Sequence, residues 1–385
     1  MTRRLLAVLI AALVAVPGAY ALDRKQAQAL VHVAAKASGL KVRTQVRIVI
    51  ERPASFASRR VRMLDRAYPR AAQDYDETVY RALGLVSGGT GVLRKTLIEM
   101  ENSSGLYDPA VRTAFVRRGA GENATALHEI VHALQDQHFD LRRAFKLAGD
   151  SDAMVAATAA IEGHAALVTD VLVPRRTQAH GVPKLVRFLQ LQRGFVYDVG
   201  LRFAADLRNL GGNAAVLGSL RRFPETTEQV FHLDKYLERE RAVPIVLPVD
   251  AAGTTLWKAS TFGELDVRAL LAVFGVPRLD HAGNGWGGGR TAVYRHAAGD
   301  SVAVALNWDT ERDALEWLEA AIIYVNEAFD APTPGLPTPV ACAATICWQL
   351  GDRTIAFARD GERTALTFGN DLGRVAVLAL AILGR

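Results

Sequence analysis

The chain has 385 residues, of which 50% are hydrophobic and 22% charged, with two cysteines and a formal net charge of +6. That apolar fraction with so balanced a charge excludes a disordered chain, and two cysteines exclude a disulfide-dense scaffold. The length suits one large domain or two.

The N-terminus reads as an export signal. Thr2-Arg3-Arg4 is a short basic start, residues 5–16 are an unbroken apolar run, and Pro17-Gly18 breaks it. Ala19-Tyr20-Ala21 then has the small-x-small form of a cleavage site. Residues 1–21 are therefore expected to be removed, and the protein to be exported, periplasmic or secreted. The segment carries two Arg and no acid, so the charge falls from +6 to +4, and no nucleic-acid partner is expected. No later stretch approaches 18 clean apolar residues, so no stable membrane span is expected either.

Residues 23–38 have helical spacing, and residues 42–50 alternate like a strand. A polar-faced helix is predicted over 56–83. Residues 97–101 and 112–117 read as strands joined across the turn-rich stretch 105–109. The second of them is a candidate edge for pairing with an extended peptide. Helices follow over 124–139, 152–173 and 184–210, the last ending at Gly211-Gly212. After Pro224 short strands are predicted at 243–247, 291–295 and 302–306. Another pair, 354–358 and 364–368, flanks the hairpin signal Asp360-Gly361. Helices are expected near 263–274 and 310–329, and the glycines of 283–289 are read as a tight loop packed by Trp286. Residues 332–339 hold four prolines and read as a surface connection. The apolar run 375–383 reads as a buried terminal strand or helix. The fold class is α+β, a helix-rich half with a small sheet over 22–223 and a smaller α+β half over 224–385. In an oxidising compartment Cys342 and Cys347 suit a local disulfide, with two buried thiols beside Trp348 as the alternative.

The chemistry lies at His128-Glu129-Ile130-Val131-His132, an H-E-x-x-H match. Residues four apart share a helix face, so both imidazoles can reach one Zn2+, and Glu129 sits one step round, placed to touch a water on that ion. Asn123 or Thr125 can cap the helix. A catalytic zinc needs a third protein ligand, and two residues compete for the place. His138 has the metzincin spacing, but Gln135 stands where that form has glycine. On an unbroken helix, six residues turn His138 about 240° away from His132. Glu162 is a lone acid in an apolar helix, 30 residues after His132. An unpartnered carboxylate there is costly, and a metal removes the cost. Helix geometry favours Glu162, the arrangement of gluzincins. His164, two residues on, can support the site or touch substrate.

These residues resemble a group of secreted or envelope bacterial and archaeal proteins classed as gluzincin-like zinc metallopeptidases. The likeness is carried by HEIVHALQDQHFDL at 128–141, Gly105-Leu106-Tyr107-Asp108-Pro109, Glu162-Gly163, Thr227-Glu228-Gln229-Val230-Phe231-His232 and Lys235-Tyr236. It continues through Phe262-Gly263-Glu264, Gly285-Trp286-Gly287-Gly288, Trp308-Asp309-Thr310 and Asp313-Ala314, and covers most of residues 95–320. His164 stands where the group has Asp, Leu233-Asp234 where it has Pro-Glu, and Gly289 where an Asp often follows. The resemblance implies a zincin-like catalytic half over 22–223, holding Zn2+ through His128, His132 and Glu162, with Glu129 as general base. With polarity, it also implies that His232 stabilises the oxyanion and that Tyr107 and Tyr236 contact a peptide or protein substrate. The rival expectation is a metal-bearing, non-proteolytic envelope protein that binds a partner or cell-wall polymer.

Overall fold

A computed structural model describes residues 24–119, 121–147, 150–169, 181–330, 342 and 344–385. The expected signal segment at 1–21, the end of the helix expected to reach 173, and the proline-rich connection at 332–339 lie outside the described residues.

The chain begins with α1 (Arg24–Ser38), β1 (Arg47–Glu51), α2 (Pro53–Ala67), α3 (Arg70–Ala82) and α4 (Val92–Met100). Then come β2 (Gly105–Asp108), β3 (Thr113–Arg117), α5 (Glu122–Phe139), α6 (Arg142–Lys146), α7 (Ser151–Thr169) and α8 (Lys184–Gly194). A single π-helical turn, Phe195–Val199, leads into α9 (Gly200–Arg221), followed by α10 (Thr227–Phe231) and α11 (Leu233–Glu238). The remainder is β4 (Asp250–Ala251), β5 (Thr254–Thr261), α12 (Glu264–Val273), α13 (Leu279–Gly283), β6 (Trp286–Arg295), β7 (Ser301–Trp308), α14 (Glu311–Phe329), β8 (Ile346–Leu350), β9 (Arg353–Asp360), β10 (Arg363–Gly369) and α15 (Leu372–Ile382). The fold is α+β, helical in its N-terminal half and sheet-rich in its C-terminal half. Its two compact units interleave along the chain, whereas the sequence suggested one boundary after residue 223. Of the described residues, the first unit holds those of 24–72, 94–181 and 193–239, and the second those of 73–93, 182–192 and 240–385.

In the first unit a three-stranded sheet has the order β1-β3-β2, with β3 parallel to β1 and antiparallel to β2. The strand expected at 112–117 is therefore central, hydrogen-bonded on both sides, and offers no free edge to a peptide. The strand expected at 97–101 is instead part of α4, where Leu93 and Leu97, four apart, are buried on one helical face. The strand is formed by 105–108, the stretch read as a turn. Its alternation is functional: Leu106 faces outward to a small core with Phe56 and Phe115, while Gly105 and Tyr107 face α5. The long helix expected over 56–83 is broken at Tyr68, which precedes Pro69 and leaves helical geometry (φ −129°, ψ 79°). Helix α7 is buried almost all round from Asp152 to Ala166, as an apolar helix inside a core should be. It meets the start of α9 through Gly163 and Gly200. A Cβ on Gly163 would lie 2.0 Å from the Gly200 carbonyl oxygen, and one on Gly200 would lie 2.4 Å from that of Ala159. The helix expected to stop at Gly211-Gly212 kinks there and continues to Arg221.

The second unit is built on a seven-stranded antiparallel sheet in the order β4-β5-β6-β7-β10-β9-β8. One face is lined by small residues, Ala292, Ala303, Ala305, Ala356, Ala358 and Ala365, and α15 packs on it through Val375, Leu378 and Ala379. The terminal apolar run is thus a helix. No strand forms at 243–247, where Val243 N–H donates to the Gly287 carbonyl at 2.7 Å, and β5, which pairs with residues 290–295 of β6, was not expected. The glycines read as a loop belong to β6 from Trp286 onward. A Cβ on Gly288 or Gly289 would strike the carbonyl oxygen of Val243 or Phe262 at 2.5 and 2.1 Å, so glycine lets both segments lie against the strand. The β9–β10 hairpin turns at Gly361 (φ +58°) as expected. Cys342 and Cys347 form a disulfide.

Candidate metal centre

Helix α5 starts after Gly121, which takes the left-handed conformation (φ +81°) at the N-cap, so neither Asn123 nor Thr125 caps it. From there the helical repeat puts His128 and His132 on one face, and α7 brings Glu162 to them. His128 Nε2 lies 3.1 Å from Glu162 Oε2, His132 Nε2 lies 3.4 Å from the same oxygen, and the two Nε2 atoms are 3.0 Å apart. His128 and His132 are 2% exposed and Glu162 is fully buried. His138 takes no part: its Nε2–H donates to the Lys41 carbonyl at 2.8 Å.

Two imidazole lone pairs cannot face each other at such a distance without a positive charge or a proton between them, and a carboxylate oxygen adds a third donor atom. Two imidazole nitrogens and one carboxylate oxygen are the donor set of a zinc site with an open fourth position. Around them are buried polar atoms with no hydrogen-bond partner among the described residues: His128 Nδ1, Glu162 Oε1 and both Glu129 oxygens. Each such atom costs about 1–3 kcal/mol when left unsatisfied. The three converging donor atoms, with the unpartnered Glu162 Oε1 beside them, fit a bound cation.

Without metal the site is held by protons. Burial pulls the His132 imidazolium down, but the Glu162 carboxylate, with Glu129 and Gln135 behind it, pushes harder and carries it to about 9. Burial pushes Glu162 up, but His132 and His128 outweigh it and hold the carboxyl at about 2. Burial lowers His128, assisted by the charge on His132. Burial raises Glu129 to about 8, with His132 opposing and Glu162 adding to the rise.

Glu129 is fully buried and sits against β2, where a Cβ on Gly105 would come within 2.7 Å of its Oε1. Tyr107, on the same face of β2, donates its hydroxyl to Asp136 Oδ2 at 2.8 Å. Burial and the Asp136 carboxylate keep that phenol protonated well above its usual range. Asp136 is completed by Leu141 N–H at 2.8 Å and by Arg112 at 3.7 Å. A small cavity reaches His132 and Glu162. Tyr107, Pro109, Leu141 and Phe145 are among its walls.

The other expected residues, Tyr236 and His232, also belong to the first unit. Tyr236 packs edge-on against Phe203, donates its hydroxyl to the Arg222 carbonyl at 3.1 Å and accepts from Arg239. His232 joins α10 to α11, with its ring 6.4 Å from that of Phe231. Neither lines the cavity beside the triad. Conversely, Gln135 is a site residue that the motif does not name. It is fully buried, its Oε1 accepts from His132 Nδ1 at 2.8 Å, and its Nε2 reaches Ile161 O at 2.9 Å and His164 Nδ1 at 2.8 Å. The legible signal was its place three residues after His132, on the same helical face.

Residues 254–378 match a family described as a domain of unknown function (DUF8575). That stretch lies wholly within the second unit and includes none of the residues of the triad. No curated protein and no solved structure matches the chain.

Proposed function

We propose that the protein is an exported zinc-dependent metallopeptidase, with His128, His132 and Glu162 as ligands and Glu129 as general base. The observation that carries the reading is the convergence of His128 Nε2, His132 Nε2 and Glu162 Oε2 within 4.8 Å of one another in a buried pocket. Zinc bound there supplies Lewis acidity and brings the pKa of a coordinated water towards neutrality. Glu129 is next in sequence to His128, and its carboxylate oxygens have no partner among the described residues to compete for a proton. In the proposed reaction it accepts the proton of the attacking water and returns it to the leaving nitrogen. Tyr107 borders the cavity and is the proposed substrate contact; the roles proposed for His232 at the oxyanion and Tyr236 at the substrate rest on the resemblance. The N-terminal signal pattern and the Cys342–Cys347 disulfide support export.

One observation favours a second reading. Every residue of the triad is closed off from solvent, which suits a structural ion in a non-proteolytic envelope protein. Exposing the zinc-loaded full chain to an unbiased peptide library, with cleavage read by mass spectrometry, separates the two. Cleavage by the wild type that disappears in Glu129→Gln supports the peptidase. Stoichiometric zinc with no cleavage by either protein supports the structural ion.

A further inference from the structure

We infer that Gln135 is a positioning residue that fixes the tautomer of His132 and ties the two ligand-bearing helices together. The inference rests on reading His128, His132 and Glu162 as metal ligands.

The argument starts from a backbone group. The carbonyl of Ile161 can only accept, so the Gln135 atom 2.9 Å from it must be the amide nitrogen. The second amide hydrogen then points to His164 Nδ1 at 2.8 Å, which must accept, leaving the His164 proton on Nε2. The other end of the amide is thereby fixed as oxygen. His132 Nδ1, 2.8 Å from it, must donate. With Nδ1 carrying a hydrogen, the neutral imidazole presents its lone pair at Nε2, which faces His128 and Glu162. A peptide carbonyl on α7 thus selects, through one side chain, the metal-facing nitrogen of a histidine on α5.

All the hydrogen-bonding atoms of the Gln135 side chain are engaged, and the residue is fully buried, so rotation of the amide would break three bonds at once. Ile161 immediately precedes Glu162, so the same amide also spaces the helix that carries the third ligand. His128 has no such support, because its Nδ1 has no partner among the described residues. Among the described residues, only His132 of the two ligand histidines is oriented in this way. A carboxylate at 135 would keep the acceptor for His132 but lose both donors and add a charge beside Glu162. That makes Gln135→Glu a partial rescue and Gln135→Met a full removal at similar volume.

The test uses the full chain with 15N-labelled histidine, metal-free and zinc-loaded. Zinc affinity is measured by competition with a chromophoric chelator, and the His132 Nδ1–H proton is observed by NMR. Wild type is expected to show a slowly exchanging Nδ1–H in both states. Gln135→Met is expected to lose that protection and to bind zinc about 10–100-fold more weakly. Gln135→Glu is expected to keep the protected proton and to bind zinc with an affinity between those of Gln135→Met and wild type. A Gln135→Met protein that binds zinc as tightly as wild type overturns the inference. So does a wild-type His132 whose Nδ1–H is unprotected, which decides the matter even if the methionine variant does not fold. A wild type that binds no zinc but shows the protected proton overturns the metal reading while leaving the Gln135–His132 bond in place.

Discussion

His128 Nε2 and Glu162 Oε2 meet at 3.1 Å although 34 residues separate them, because α5 and α7 pack together in the first unit. That pair makes a triad out of a two-histidine motif. Glu162→Ala should lower zinc affinity by more than the roughly 100-fold upper end seen when only a supporting residue is removed. Equilibrium competition with a chelator measures it. Unchanged affinity would show that Glu162 is no ligand.

Gly105 offers a way to disturb the base without touching the ligands. Its added Cβ would lie 2.4 Å from Thr125 Cγ2 and 2.7 Å from Glu129 Oε1. Gly105→Ala should therefore leave zinc stoichiometry at one per chain while peptide cleavage falls by about 100-fold, the scale of a misplaced catalytic group. Paired metal analysis and steady-state rates would show whether the two effects separate.

Gly163 stands beside Glu162 where α7 crosses the start of α9 closely. In Gly163→Ala the new methyl group would lie 2.0 Å from the Gly200 carbonyl oxygen, and backbone cannot rotate aside as a side chain can. The expected cost is at the upper end of overpacking, about 3 kcal/mol, read as a lowered urea midpoint. A variant as stable as wild type would mean that α7 and α9 are more loosely packed than described.

In the metal-free protein His132 and Glu129 should lower stability as pH rises, while His164, lowered by burial to about 4, and His128, also lowered by burial, oppose them below 6.5. His132 is raised from 6.5 to about 9, so its contribution is complete below 6.5 and lost as pH passes 9. Glu129 is raised from 4.5 to about 8, and its contribution is lost between those values in the same direction. Glu162, lowered to about 2, acts oppositely, but only below about 4.5. Unfolding in the presence of chelator should thus show His132 and Glu129 lowering stability from pH 6.5 to pH 9, while zinc, which displaces the proton from His132, should bind more tightly over the same range. Zinc affinity that weakens from pH 6 to pH 8 would contradict this arrangement.

Parts of this were legible in the sequence because they depend on short-range geometry. The spacing of His128 and His132 fixes a shared face on any helix, and Glu162 stood out as an acid with no charged neighbour inside an apolar run. Other parts depend on distant partners. Gln135 reads as an ordinary polar helix residue until Ile161 and His164 come beside it. Gly105 and Asp108 are turn formers, so residues 105–108 looked like a connection, yet Leu106 and Tyr107 pack on opposite faces of a strand. Residues 97–101, Leu-Ile-Glu-Met-Glu, are too short to show a period of their own, and only the burial of Leu93 and Leu97 on one helical face resolves them. The glycines of β6 were mistaken for a loop because their purpose, room for the backbone at Val243 and Phe262, lies in tertiary contacts.

The central claim is that Glu129 acts on substrate beside a zinc held by His128, His132 and Glu162. The most direct measurement is the initial rate of peptide hydrolysis by wild type and Glu129→Gln, each verified to carry one zinc per chain. The account predicts measurable cleavage by wild type and a loss of about 100-fold or more in the variant at equal zinc content. Equal rates in the two proteins, or no hydrolysis by fully zinc-loaded wild type, would contradict it.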